Sequence, residues 1–322
     1  MTDAATDAAI HVQGLRKSYD GVERVHAIDF SVARGEIFGL LGTNGAGQTT
    51  TIEILEGYRP RDGGEVTVLG DDPSHPSRAW RERIGIVLQE SELDPLYTVR
   101  ETVTQFGRYF SASADVDETI GRVGLAAKAD ERIGRLSGGQ KRAVDVALGL
   151  IGRPELLFLD EPSTGLDPAA RREMWATIGD LRDAGTTILL TTHYMDEAQN
   201  LADRLVIMRA GDVVGSGTTA ELSAGDGDTA IVTFRLDRPD ALAAIADRLS
   251  AMPSIDDGGV RLYSSAPQRD LYELLRWAEG DGVDLHGLEV DRPTLDDIFL
   301  RLTATDDSGG SGGSGDEGGD RS

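Results

Sequence analysis

Cysteine is absent from the 322-residue chain, which excludes disulfides, iron–sulfur clusters and thiolate zinc sites. Histidine is sparse: His11, His26, His75, His193 and His286 lie too far apart for a local ligand pair. A metal cage built from protein alone is therefore not expected, while a Mg²⁺ ion shared with phosphate stays compatible. Positive charge is also short, with lysine confined to Lys17, Lys128 and Lys141, and Asp plus Glu outnumber Lys plus Arg by 56 to 32. The formal charge of −24 argues against nucleic acid as a partner, because that binding needs clustered cations to displace counterions. So much negative charge repels itself in a compact fold, but the Debye length falls to ~3 Å at 1 M salt, where the repulsion largely vanishes. The composition reads as that of a salt-adapted protein; plain solubilisation is the alternative, and the salt dependence of folding separates the two. No apolar run approaches the ~18 residues that span a bilayer. The opening MTDAATDAA has neither the basic start nor the apolar core of a signal peptide. Any membrane role is expected to come through a partner.

Glycine, by contrast, is plentiful at 40 residues, and Gly42, Gly45 and Gly47 punctuate the stretch EIFGLLGTNGAGQTTTIEILE from Glu36 to Glu56. Ile37, Phe38, Leu40 and Leu41 predict a short buried strand, which breaks into the glycine turn before Thr49–Glu56 takes up a helical pattern. Strand, glycine loop and helix in that order suit phosphate. Glycines let backbone N–H groups turn inward as an anion nest, and the helix adds the positive end of its dipole. The pattern is G-x-x-x-x-G-K-[ST] over Gly42–Thr49, with Thr49 supplying a hydroxyl for Mg²⁺ and Gln48 standing in the lysine position. A lysine there is a point charge on the β- and γ-phosphates, whereas the amide is a neutral donor of similar reach. Losing a charged hydrogen bond costs ~1.5–3 kcal/mol of affinity, partly recovered by the amide. Losing a donor that meets charge developing in the transition state costs ~2.7–4 kcal/mol, roughly a hundred- to thousand-fold in rate. Weakened nucleotide binding and crippled hydrolysis are expected.

The chain is long enough for one large domain and one small one. Residues 1–9 read as a disordered tail and 10–219 as the main domain. Within it, Ile10–Phe30 predicts two antiparallel strands with Tyr19 on the turn between them, and residues 90–136 carry a helical insert built on Val99, Val103, Phe106, Tyr109, Ile120 and Val123. Glu155–Leu159 and Thr186–Thr191 read as buried parallel strands, the first ending in Asp160 and Glu161, the second at His193. Such regular alternation of strand and helix predicts an α/β fold, a parallel sheet with helices on both faces. The small, Gly-rich composition around Ala220–Gly227 reads as a linker over 220–228. Residues 229–303 read as a small α+β domain of ferredoxin-like type, including a helix over Ala241–Leu249, and 304–322 as a Gly/Ser/Asp tail with nothing apolar to bury.

Several separate motifs then occur in one order: Gly42–Thr49, Gln89 at a strand end, LSGGQ at Leu136–Gln140, LLFLDEP at Leu156–Pro162, STGLDP at Ser163–Pro168, and His193 after TTILLTT. Over Ile10–Gly217 the chain resembles the ATP-binding cassette of an ABC transporter, a P-loop NTPase with an antiparallel β subdomain and a helical insert. The C-terminal part, ending in Pro-Thr-Leu-Asp-Asp-Ile-Phe at Pro293–Phe299, is similar to the daunorubicin-resistance type of ATP-binding subunit in ABC-2 exporters. That segment reads equally as a capped amphipathic helix closing a small domain.

The resemblance implies ATP and Mg²⁺ as cofactors, with ATP cradled by Gly42, Asn44, Gly45, Ala46, Gly47, Gln48, Thr49 and Thr50 and its adenine stacked on Tyr19. It implies Mg²⁺ held by Thr49, Gln89 and, through water, Asp160. Glu161 is implied as general base on the attacking water, Gln89 as the sensor of metal and water, and His193 as the contact to the γ-phosphate. Ser137, Gly138, Gly139 and Gln140 open a helix and are implied to serve the nucleotide of a facing cassette, with Asp167 linking the two sites. Taken singly, Asp160–Glu161 also reads as a turn cap, Asp167 as the N-cap before Pro168, and His193 as a loop histidine. The implied partners are a second cassette, identical or different, and an integral membrane permease, which would place the chain on the cytoplasmic face of the membrane. Gln48 leaves open a cassette that binds and pairs without useful hydrolysis, or the idle half of a mixed dimer.

Overall fold

Alternation of apolar and polar residues makes the first two strands. β1 (Ala8–Tyr19) buries Ile10, Val12 and Leu15, and β2 (Val22–Ala33) buries Val25, Ile28 and Val32. They pair antiparallel through a turn in which Asp20 and Gly21 both take positive φ, the twist that a tight hairpin needs. β3 (Ile37–Gly42) is buried at every position, as a strand covered on both faces must be, and runs through the glycine loop into α1 (Gln48–Leu55). β4 (Gly63–Val68) returns to β1 and completes a three-stranded antiparallel sheet, β2-β1-β4. The one-turn α2 (Arg78–Arg81) precedes β5 (Ile84–Val87). The insert follows as α3 (Val99–Gly107) and α4 (Val116–Arg122), opened by Thr98 and Asp115 as side-chain caps. Next come α5 (Gly138–Leu150), β6 (Leu156–Asp160), α6 (Pro168–Asp183), β7 (Thr187–Thr192), α7 (Met195–Leu201), β8 (Arg204–Arg209) and β9 (Asp212–Gly217). The computed structural model describes residues 8–43, 45–89, 92–224, 229–237, 242–243, 245–256 and 259–303.

These elements build a six-stranded sheet in the order β5-β6-β7-β3-β8-β9, parallel except for β9. Its strands carry one core on each face. Phe38, Leu40, Phe158 and Leu189 point toward the antiparallel sheet, where they meet Ile10, Leu15 and Val32. Leu157, Leu159, Ile188 and Leu190 point the other way, toward Val103, Ile120, Val144 and Ile178 of the helices. The carboxyl ends of β5, β6, β7 and β3 therefore emerge side by side, at the edge where open α/β sheets bind ligands. The α/β cassette architecture read from the sequence is the one observed.

The C-terminal part begins with α8 (Thr219–Ala224) and continues as β10 (Ala230–Arg235), β11 (Ser254–Asp256), β12 (Gly259–Ser264), α9 (Pro267–Asp281), β13 (His286–Asp291) and α10 (Leu295–Thr303). Its sheet is antiparallel in the order β11-β12-β10-β13, which is the ferredoxin-like arrangement.

The structure corrects several sequence readings. Ala8 and Ala9, placed in the N-terminal tail, belong to β1, and Ala9 is fully buried. The first half of the stretch read as a linker is helical, because Glu221 exchanges hydrogen bonds with Thr218 and nucleates α8. The helix expected over Ala241–Leu249 is represented, among the described residues, by 3₁₀ turns at residues 242–243 and at Ala246–Arg248. Tyr19 is the last residue of β1 rather than a turn residue. The readings for residues 1–7, 225–228 and 304–322 lie outside the described residues.

α10 departs most from expectation. It is a capped amphipathic helix, with Asp297 and Thr294 exchanging hydrogen bonds at its start. Its apolar side, however, does not close the small module. Leu295 and Ile298 are buried against Leu41, Met195, Ala198, Leu205 and Ile207 of the cassette, while Val232, Phe234, Leu262 and Leu274 form a separate core with Trp277.

Candidate nucleotide site

The glycine loop owes its shape to close packing as much as to freedom. Gly45 and Gly47 lie at φ 81° and 99°, and a side chain on Gly47 would come within 2.7 Å of the Arg24 carbonyl. At Gly42 an added Cβ would stand 2.9 Å from Ala46 and 3.1 Å from the Gln48 side chain, so only glycine lets the loop fold over itself. Gly47 precedes α1 with no side-chain cap on the first helical N–H groups. Those groups are left for an anion. The Gln48 side chain turns back on the strand before the loop: its amide donates to the backbone carbonyl of Leu40, on β3, at 2.8 Å. Asn44 lies outside the described residues.

Facing this loop, a cleft of about 60 Å³ is lined by Gly42, Gln48, Thr49, Gln89, Asp160, Glu161, Thr191, Thr192 and His193. Sequence position alone would scatter these residues; the parallel order of β5, β6, β7 and β3 brings them together. Glu161 sits at the corner after β6 with φ 46°, an unusual conformation for a non-glycine residue. Its N–H is held by the hydroxyl and carbonyl of Thr191. One carboxylate oxygen accepts from Gln89 Nε2 at 3.0 Å and from the Thr164 hydroxyl at 3.0 Å, and the other faces His193 Nδ1 at 3.1 Å. Asp160 accepts from the Thr191 hydroxyl at 2.5 Å. Behind the cleft, Glu56 at the end of α1 is pushed up to about 7, by burial first and then by the negative charges of Asp160 and Glu53.

Whether Mg²⁺ and a triphosphate suit this donor set can be judged from the residues. No group of three or more acidic, His or Cys side chains converges on one point among the described residues. The carboxylates of Asp160 and Glu161 and the hydroxyl of Thr49 share the cleft with uncapped helix amides. A cation that keeps waters and takes its remaining ligands from phosphate fits such a set; an all-protein cage does not.

Other expected site residues stand elsewhere. Ser137 caps α5, accepting from Gln140 N at 3.2 Å while Gln140 Oε1 accepts from Ser137 N at 3.1 Å, so the two satisfy each other instead of leaving both faces open. Gly139 packs so closely on α6 that an added Cβ would lie 2.7 Å from Ala170. Gly138 lines a second hollow that it shares with Gln89 and Arg142. Asp167 accepts from Ala169 N and Ala170 N as the cap of α6. Neither Ser137–Gln140 nor Asp167 lines the phosphate cleft of its own chain. Tyr19 is likewise outside it, its ring faced by Arg59 at 5.3 Å and Lys17 at 5.5 Å.

Sequence reasoning passed over Arg142, which is 7% exposed. Its guanidinium donates to the carbonyls of Asp160 at 2.7 Å and Pro162 at 3.1 Å, and to that of Leu88. The signal was a charged residue on the buried stripe of α5, four residues before Val146 and eight before Leu150. Thr164 and Thr191 were missed as well: the first is an ordinary hydroxyl turned back on Glu161 three residues earlier, and the second meets Asp160 only once the strands are aligned.

The glycine cradle, the carboxylate pair at the end of β6 and the Gln89 and His193 side chains beside it have the form of a nucleotide-binding cassette, and the chain belongs to the ATP-binding subunits of ABC transporters. The ABC transporter profile matches residues 25–164, and the profile described as ABC transporter domain-containing protein-like, C-terminal domain, matches residues 230–294. Among particular relatives, the daunorubicin resistance ATP-binding protein DrrA3 of Streptomyces coeruleorubidus is 38% identical over 93% of this chain and 97% of its own length. The Nod factor export ATP-binding protein I of Rhizobium sp. (strain N33) is 38% identical over 92% and 97%. The solved structure of cbiO1 from Clostridium perfringens, part of the ABC transporter complex cbiONQ, superposes with a TM-score of 0.62 at 30% identity, over 68% of this chain and 91% of that one. Cassettes of this family are ATPases coupled to transport. Among the described residues no helix is long and apolar enough to cross a membrane.

Proposed function

We propose that the chain binds ATP·Mg²⁺ in the cleft at the ends of β3, β6 and β7, pairs with a second cassette, and drives a separate export permease with slowed turnover. The observation that carries this reading is the gathering of Gln89, Asp160, Glu161 and His193 around Gln48 and Thr49, at the start of the helix that follows the glycine loop. Uncapped amides of α1 and the glycine loop bind the phosphates. Thr49, Asp160 and Gln89 would hold Mg²⁺, which neutralises charge on the transferring phosphoryl group. Glu161 takes the proton of the attacking water, and Gln89 and the Thr164 hydroxyl orient its carboxylate until then. His193 Nδ1 lies 3.1 Å from the other carboxylate oxygen and would exchange that contact for the γ-phosphate. Ser137–Gln140 lie outside their own chain's cleft, which supports two chains facing each other so that each completes the other's site. The relatives' names support an export permease as the membrane partner.

A second reading is favoured by one contact. Gln48 spends an amide hydrogen on Leu40 instead of presenting it to the cleft. In that reading this chain holds nucleotide without useful hydrolysis and lends its LSGGQ to a competent partner cassette. Gln48→Lys decides between the two. A rise in ATP turnover of roughly a hundred-fold or more supports the slowed ATPase. An unchanged rate with nucleotide bound supports the idle half. Folded protein that takes up no ATP·Mg²⁺ at all would overturn both.

A further inference from the structure

We infer that Arg142 is the positioning residue that couples the helix of the LSGGQ motif to the chain's own catalytic carboxylate. β5 and β6 pair in parallel up to Val87 and Leu159. Past that register the β5–β6 ladder stops, although on its other side Asp160 still pairs with Thr191 of β7 and Glu161 O accepts from Thr164 N. A single guanidinium replaces the missing ladder: Nη1 donates to Leu88 O and lies 3.4 Å from Gln89 O. Nη2 donates to Asp160 O at 2.7 Å and lies 3.4 Å from Glu161 O, and Nε donates to Pro162 O at 3.1 Å. Only the fork of an arginine has enough donors, in one plane, to span both strand ends.

Two features make this more than a structural tie. The corner it holds is the one where Glu161 stands at φ 46°, a conformation kept only where the surroundings over-determine it. The two chain segments it joins are also those whose side chains meet, since Gln89 Nε2 donates to Glu161 Oε2. Meanwhile Arg142 is carried on the second turn of α5, whose first turn is Ser137–Gln140. Resting on the proposed pairing of cassettes, this predicts that nucleotide engaged at the start of α5 displaces the guanidinium. Gln89 and Glu161 shift together, and one site's occupancy is reported to the other site's general base.

The test uses the full chain carrying Gln48→Lys, for measurable turnover, with Arg142→Met and Arg142→Lys added in turn. The expected result for Arg142→Met is ATP affinity within about threefold of the parent, turnover lowered roughly a hundred-fold, and a Hill coefficient for ATP falling to about one while the dimer persists on size exclusion. Arg142→Lys, which keeps the buried charge but not the fork, should fall between; it also serves if the methionine variant does not fold. Turnover within about threefold of the parent, or affinity lost in step with turnover, would overturn the assignment. If the parent itself neither binds ATP nor pairs, the reading above fails separately. The clamp is then judged by hydrogen exchange of the Glu161 amide in nucleotide-free protein: faster exchange in Arg142→Met supports it, and unchanged exchange rejects it.

Discussion

Glu161 is held by two donors, Gln89 and Thr164, and His193 Nδ1 stands 3.1 Å from its other carboxylate oxygen. As the proposed general base it is oriented but not yet free, and Gln89 and His193 beside it are the groups that metal and γ-phosphate would draw away. Chemistry at this site is thereby conditional on what else has bound. Glu56 shows the same crowding from behind. Its folded pKa of about 7 lies above the ordinary carboxyl value of 4.5, because burial and the charges of Asp160 and Glu53 disfavour its ionisation. Between those two values the folded chain retains a proton that the unfolded chain has released. Stability is therefore full below about pH 4.5 as far as this group is concerned, falls as pH rises through 7, and levels off above, by an amount on the order of 2–3 kcal/mol. Urea denaturation of Glu56→Gln at pH 5 and pH 8 checks this: the variant should lose most of the difference that the parent shows between the two. At this scale the sequence was legible for the grouping of Gln89, Asp160, Glu161 and His193, which line one cleft as their order in the chain predicts. It was not legible for Arg142 or Thr191, whose partners are backbone atoms or side chains far off in the chain, nor for Thr164, whose hydroxyl reaches Glu161 three residues back with no pattern of spacing to mark it.

At the scale of elements, strands and helices with strong periodicity were legible, and the boundaries were set by caps. The apolar runs of β3, β6 and β7 announced a parallel sheet, and Thr98, Asp115, Ser137 and Asp167 each start a helix where the sequence changes character. α10 was legible as a helix but not as to where it docks, because its apolar stripe would suit any apolar surface. The docking has a consequence for the site. Leu41, which receives α10, is the residue before Gly42, and Met195 lies two residues after His193. One C-terminal helix thus braces both the strand entering the phosphate loop and the helix leaving His193. Ile298 is 2% exposed in this contact, and truncating a buried isoleucine to alanine typically costs ~2–5 kcal/mol. Ile298→Ala should lower stability by that amount in chemical denaturation. Leu300→Ala, on the same helix but 59% exposed, should stay within ~0.5 kcal/mol of the parent.

At the scale of the whole molecule, the excess of carboxylates acts on every element together. Even if each of the 32 Lys and Arg residues were matched to one acid, 24 of the 56 Asp and Glu residues would remain unmatched, since 56 − 32 = 24. The arginines are in fact spent on pairs. Arg100 bridges Asp117 and Asp130, Arg83 bridges Asp71 and Glu155, and Arg182 bridges Asp183 and Asp203. Salt weakens such pairs as well as the repulsions, so the sign of its net effect depends on which is larger. Exposed pairs contribute a median of only ~0–1 kcal/mol each, and those that share an arginine do not add. Repulsion among unmatched carboxylates grows with the square of the net charge and is relieved when the Debye length contracts from ~10 Å at 0.1 M to ~3 Å at 1 M. Repulsion should win here. Denaturation midpoints in KCl should rise across that range by at least ~2 kcal/mol of stability, most of it below 1 M, where screening changes fastest. Sulfate would stabilise any protein by exclusion, and chloride is the better probe for that reason. A flat or falling series in KCl would mean that the acidic surface serves solubility alone, and that the fold carries its charge without the help of salt.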